Sequence, residues 1–144
     1  GAVYVVLGGS LGAVPTIGMA DADYKFLGDG KYLYAGYAVA GVGDLDSDGL
    51  SDLLIGAPED EEGGEDSGAV FLLLGSGLPE TTTANLKDVA AKLVGESKSA
   101  RFGVDLSSAG DVNGDGQLDL LMGAYGDDDG GDFAGAAYVI LNGD

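Results

Sequence analysis

Gly43-Asp44-Leu45-Asp46-Ser47-Asp48-Gly49-Leu50-Ser51-Asp52-Leu53-Leu54-Ile55-Gly56-Ala57 returns 67 residues later as Gly110-Asp111-Val112-Asn113-Gly114-Asp115-Gly116-Gln117-Leu118-Asp119-Leu120-Leu121-Met122-Gly123-Ala124. Each copy opens with oxygen-bearing side chains on alternate residues and turns on a glycine. It then closes on an aspartate that leads directly into a short apolar run. A loop of this kind feeding a strand predicts a β-hairpin connection, and its recurrence predicts a repeat protein.

Other segments keep the same step. Gly1-Ala2-Val3-Tyr4-Val5-Val6-Leu7-Gly8 returns from Gly68 and again from Gly135, and Lys25-Phe26-Leu27-Gly28 returns as Lys92-Leu93-Val94-Gly95. Each period holds four candidate strands rich in Val, Leu, Ile and Tyr and bounded by Gly and Asp. The first is Tyr37 to Val42 and Val104 to Ala109. The second is Asp52 to Ala57 and Asp119 to Ala124. The third is Ala2 to Leu7, Ala69 to Leu74 and Ala136 to Leu141. The fourth is Tyr24 to Leu27 and Ala91 to Val94. Leu86, Val89, Ala90 and Leu93 also fit a helical spacing, so a short helix before Lys92 competes with the fourth strand. A four-strand unit at a long fixed period reads as a propeller blade. A solenoid has shorter rungs, and a sandwich remains the other all-β alternative.

Composition narrows the function. The chain has 144 residues and a formal charge of −19, from 25 acidic and 6 basic side chains. That charge repels phosphate backbones and anionic lipid, so neither nucleic acid nor membrane insertion is expected, and cations are the natural counterpart. No apolar run is long enough to span a bilayer. No signal peptide is visible, since Gly1 to Gly8 reads as a strand, and a mature secreted chain would look the same. There is neither cysteine nor histidine, which excludes the usual zinc and haem sites and histidine-dependent nucleophile systems. With 28 glycines and 45% apolar residues, the chain is a turn-rich folded protein and not an acidic tail.

The loops suit calcium. Asp44, Asp46, Asp48 and Asp52, with the Leu50 carbonyl, offer hard oxygens at positions 1, 3, 5, 9 and 7 of one loop. Asp111, Asn113, Asp115 and Asp119, with the Gln117 carbonyl, do so in the other. Calcium takes about 6–8 such ligands, whereas magnesium demands stricter octahedral geometry. An EF-hand would need an acid at position 12, where Ile55 and Met122 stand. The metal-free alternative is an Asp- and Gly-rich hairpin turn, disfavoured because two such clusters of uncompensated carboxylates would repel. Two calcium ions per chain are therefore expected.

These residues resemble the FG-GAP repeat of integrin α-subunit propellers. Phe102-Gly103 stands for the FG, Gly110 to Gly116 for the calcium loop, Gly56-Ala57-Pro58 for the GAP and Gly68-Ala69-Val70-Phe71 for the next strand. The resemblance implies four-stranded antiparallel blades around an axis, with calcium loops on one face, in an extracellular or cell-surface protein serving adhesion or ligand binding. Ala35-Gly36 replaces FG in the first repeat, and Ala124-Tyr125 replaces the AP in the second. A whole propeller of this kind has about seven blades. This chain is expected to hold about two: residues 1–34 ending one blade, 35–101 a complete repeat and 102–144 a partial one.

The expected function is a non-catalytic, calcium-stabilised binding or adhesion module with a protein or carbohydrate ligand. A part of a secreted hydrolase, or a lectin-like module, is the alternative. The acidic runs Glu59 to Asp66 and Asp127 to Asp132 read as solvated loops, with a further cation site or a surface for a basic partner as the other reading. Tyr32, Tyr34 and Tyr37 suit packing between blades better than a sugar-stacking platform. No carboxylate pair is singled out for glycoside hydrolysis. Since blades would be left incomplete, other blades are the expected partners, from a longer protein or from further copies of the chain.

Overall fold

The computed structural model describes residues 1–12, 16–31 and 33–143, and its regular structure is almost all strand. In chain order the strands are β1 (Ala2–Val5), β2 (Tyr24–Leu27), β3 (Val39–Gly43), β4 (Asp52–Ala57), β5 (Ala69–Leu73), β6 (Thr83–Asn85), β7 (Ala91–Val94), β8 (Asp105–Gly110), β9 (Asp119–Ala124) and β10 (Ala136–Ile140). One turn of helix, α1 (Leu86–Val89), separates β6 from β7. No described helix is long and apolar enough to cross a membrane.

Among the described residues three sheets result. The middle one is a complete antiparallel blade in the order β3-β4-β5-β7, flanked by a three-stranded β8-β9-β10 sheet and a β1-β2-β6 sheet. This is an all-β, incomplete propeller. Strand alternation explains how the blades stack. In the middle blade Val42, Leu54 and Val70 point to the β8-β9-β10 sheet, where they pack with Phe102, Leu106 and Met122. Ile55, Phe71 and Leu73 point the other way and pack with Phe26 and Leu86. Because both faces of the blade are covered, its strands read as unbroken apolar runs and not as alternating ones. The outer sheets have one covered face each. Leu121 holds the same repeat position as Leu54, yet is 39% exposed where Leu54 is fully buried.

Backbone contact between blades depends on glycine. Gly56 in β4 faces Gly103, and a Cβ on Gly56 would overlap the Gly103 carbonyl oxygen. Gly36 donates its N–H to the Gly56 carbonyl at 2.9 Å, and Gly103 does the same to Gly123 at 2.9 Å. These matched bonds lie one repeat apart. The two departures from the motif are accommodated locally. Ala35 is buried in the core beside Phe26, and Tyr125 accepts a 2.6 Å hydrogen bond at its hydroxyl from Arg101 Nη1.

After β5 the chain crosses to the preceding sheet and lays β6 parallel to β2, pairing Lys25 with Thr83 and Leu27 with Asn85. It then forms α1, buries Leu86 and returns as β7 against β5. The helix and strand readings before Lys92 are thus both realised, in succession. This crossing ties two blades together.

Candidate metal centre

The β3–β4 and β8–β9 connections carry the aspartate-rich loops. Both follow a register shift, between Gly41 and Gly43 and between Ser108 and Gly110, which turns the chain out of the sheet. Position 4 requires the left-handed region: Ser47 has φ 63° and Gly114 φ 81°. Position 6 does too, with Gly49 and Gly116 at φ 90° and 89°.

This curl turns the loop amides inward onto the carboxylates. Asp44 accepts from the Asp48 and Gly49 N–H groups at 2.9 Å each. Asp111 accepts from Gly114 at 2.7 Å, Asp115 at 3.1 Å and Gly116 at 2.9 Å. Asp48 accepts from the Leu50 N–H at 2.7 Å, and Asp115 from the Gln117 N–H at 2.7 Å. Asp44, Asp46 and Asp48 each present an oxygen within 4.8 Å of the others. Asn113 is held to Asp115, its Nδ2 donating to Oδ2 at 2.8 Å. The donor set is all oxygen, which fits a hard cation such as calcium. These acidic groups could hold a metal ion.

Asp52 and Asp119 occupy a different environment. Both are fully buried. Asp52 accepts from Leu45 N–H at 2.7 Å and from Gly75 N–H at 2.8 Å. Asp119 accepts from Val112 N–H at 2.8 Å and Asn142 N–H at 3.0 Å. Each carboxylate thus ties the start of its loop to the end of the third strand of its blade. Each oxygen keeps a second lone pair for a cation. Leu50 is exposed, as is the loop tip from Asp111 to Gly116, so the centres open to solvent. The loops also touch each other: Ser47 Oγ donates to Gln117 Oε1 at 3.3 Å, and Asn142 Nδ2 to the Leu45 carbonyl at 2.6 Å.

The acidic runs are solvated over most of their length, but each holds one buried carboxylate. Asp60 and Asp127 are buried, each one repeat from the other. Asp60 pairs with Lys92 at 2.8 Å, and Glu62 with the same ammonium at 2.7 Å. Burial pulls the Lys92 ammonium down, but its bonds to Asp60 and Glu62 outweigh this and hold its pKa above the ordinary lysine value. Sequence reasoning missed this pair because its members are far apart in the chain, the carboxylates in the β4–β5 connection and the lysine on β7. The recurrence of Lys25 at Lys92 was the available signal. Tyr34 and Tyr37 are 51% and 64% exposed, so they do not pack between the blades described; Tyr32 lies outside the described residues.

The FG-GAP repeat profile matches residues 35–73 and 102–140. Integrin alpha-PS2 of Drosophila melanogaster is 41% identical over 116 residues, which is 74% of this chain and 8% of that protein. Integrin alpha pat-2 of Caenorhabditis elegans is 35% identical over 101 residues, 69% of this chain and 8% of that protein. Integrin alpha-5 of Xenopus laevis is 36% identical over 125 residues, 83% of this chain and 11% of that protein. The chain therefore spans about a tenth of the length of these relatives. Both matched segments begin at the glycine contacts between blades, enclose one acidic loop each and end in the third strand of a blade. The chain belongs to the FG-GAP repeat family.

Proposed function

We propose that this chain is a calcium-stabilised propeller module that binds a partner in an extracellular setting and catalyses nothing itself. The observation that carries the reading is the pair of inward-facing oxygen clusters, one repeat apart. One calcium ion would be held by Asp44, Asp46, Asp48, the Leu50 carbonyl and Asp52. A second would be held by Asp111, Asn113, Asp115, the Gln117 carbonyl and Asp119. The cation would neutralise side chains that otherwise repel, and would hold the loop against the buried anchor at its ninth position. The integrin names of the relatives support adhesion as the setting, with a protein ligand and further blades as partners. In this reading residues 1–34 close one blade, 35–101 form a complete one and 102–144 begin a third.

The test is thermal unfolding with calcium and with excess chelator. A ligand bound only by the native state stabilises it by about 2.7 kcal/mol at a hundredfold excess over its dissociation constant. With two sites, chelation should lower Tm substantially. An unchanged Tm would contradict the proposal.

A further inference from the structure

Asn142 stands two residues past β10, at a position where the other two copies of the segment have Gly8 and Gly75. The backbone plays the same part in both blades. Gly75 N–H donates to Asp52 Oδ1 at 2.8 Å, and Asn142 N–H to Asp119 Oδ1 at 3.0 Å. A Cβ on Gly75 would lie 2.7 Å from Leu50 Cβ and 2.8 Å from the Ser51 carbonyl oxygen, so the middle blade has no room for a side chain there. The last sheet admits one, and that side chain crosses to the neighbouring blade. Asn142 Nδ2 donates to the Leu45 carbonyl oxygen at 2.6 Å.

Leu45 is also held from its other end. Its N–H donates to Asp52 Oδ2 at 2.7 Å, and its side chain is buried with Leu106 and Leu120 in the core between the two sheets. A continuous relay therefore joins the two buried carboxylates, from Asp52 through Leu45 and Asn142 to Asp119. Its ends are the ninth positions of the two acidic loops. The loops have one other hydrogen bond between their side chains, from Ser47 Oγ to Gln117 Oε1 at 3.3 Å. That bond is exposed, so water competes for both partners and it carries little.

We propose that Asn142 is a positioning residue that couples the two loops, so that order in either one raises the calcium affinity of the other. The inference rests on the calcium reading of the loops. Asp119, seated by its own loop, fixes the Asn142 backbone. The Asn142 side chain then holds the Leu45 carbonyl, and Leu45 N–H presents Asp52. A loop ordered in advance has less conformational freedom to lose on binding, and by linkage the effect is the same in both directions. Charge acts in the opposite sense. The loops carry four and three carboxylates, and neutralising one set weakens the pull on a cation at the other. Salt separates the two effects: the Debye length falls from about 8 Å at 0.15 M to about 3 Å at 1 M, whereas a hydrogen-bonded relay is not screened.

The test is calcium titration calorimetry of the full chain in about 1 M KCl, with Asp115→Ala and Asp48→Ala each reporting one loop by itself. The product of the two association constants of the unaltered chain, divided by the product of the single-loop constants, gives the coupling factor. A factor of about five is expected, which one net hydrogen bond supplies and which is the low end of couplings between sites. Asn142→Ala keeps the N–H that anchors Asp119 and removes Nδ2. In that background the factor should fall to about one. A merely structural role would instead lower the single-loop constants and leave the factor as it is, which would overturn the proposal. In the Asp48→Ala chain, calcium in the remaining loop should also slow hydrogen exchange of the Leu45 amide, and no slowing would contradict the relay. If Asn142→Ala does not fold, the unaltered chain still decides, because a factor of one or below in high salt overturns the coupling. Two ions bound without coupling would overturn this inference and leave the calcium reading standing, whereas no calcium bound would overturn both.

Discussion

Asp60 and Lys92 show how much one side chain can carry. The carboxylate is buried, and its partner arrives from a strand 32 residues further along the chain. Removing the lysine leaves a buried acceptor without its charged donor, which costs about 2 kcal/mol. Lys92→Met should lower unfolding free energy in urea by about that amount near neutral pH, and no loss would contradict the account. The pH dependence has a definite sign. A lysine whose folded pKa is raised contributes stability that is complete below the ordinary lysine pKa and lost as pH rises through the folded value. The difference between wild type and Lys92→Met should hold constant from neutral pH to moderately alkaline pH. It should close only above the lysine range. At the same scale, Asp52 and Asp119 differ from the loop-tip carboxylates. They are anchors as well as candidate ligands, since each already binds two backbone N–H groups.

Elements built from short, repeated apolar runs were legible in the sequence. The spans read for β2, β4, β7 and β9 agree with the structure at both ends. Such strands are specified by alternation and by the glycines and aspartates that bound them, and each copy corroborates the others. The first strand of each blade starts one or two residues later than the sequence suggests, because Gly36 and Gly103 open it with a turn at φ 89°. β6 was not legible. Thr83-Ala84-Asn85 has no apolar pattern, and its parallel partner β2 lies over 50 residues away. Within the acidic runs, which are otherwise solvated as their composition suggests, the burial of Asp60 and Asp127 was not legible for a related reason: composition reports charge, while burial depends on non-local partners. The crossing through β6 and α1 should matter to stability through Leu86, which is fully buried between two blades. Leu86→Ala should cost about 3 kcal/mol in urea unfolding. A loss under about 1 kcal/mol would show that α1 is not part of the shared core.

For the whole molecule, one complete blade stands between two incomplete ones, and the exposed residues follow from that. Leu121, Val139 and Leu141 lie on the face of the last sheet where a further blade would pack, and all are more than a third exposed. An open strand edge beside such a face favours association. Sedimentation of the isolated chain should show self-association, and a sharp monomer boundary with cooperative unfolding would contradict this. The same repeat that leaves these surfaces open also duplicates the acidic loop, and the paired loops are the centre of the functional account. A calorimetric calcium titration of the full chain tests them most directly. The account predicts saturation at two equivalents, with Asp48→Ala and Asp115→Ala each losing one ion and keeping the other; saturation below two equivalents, or loss of both ions in either variant, would contradict it.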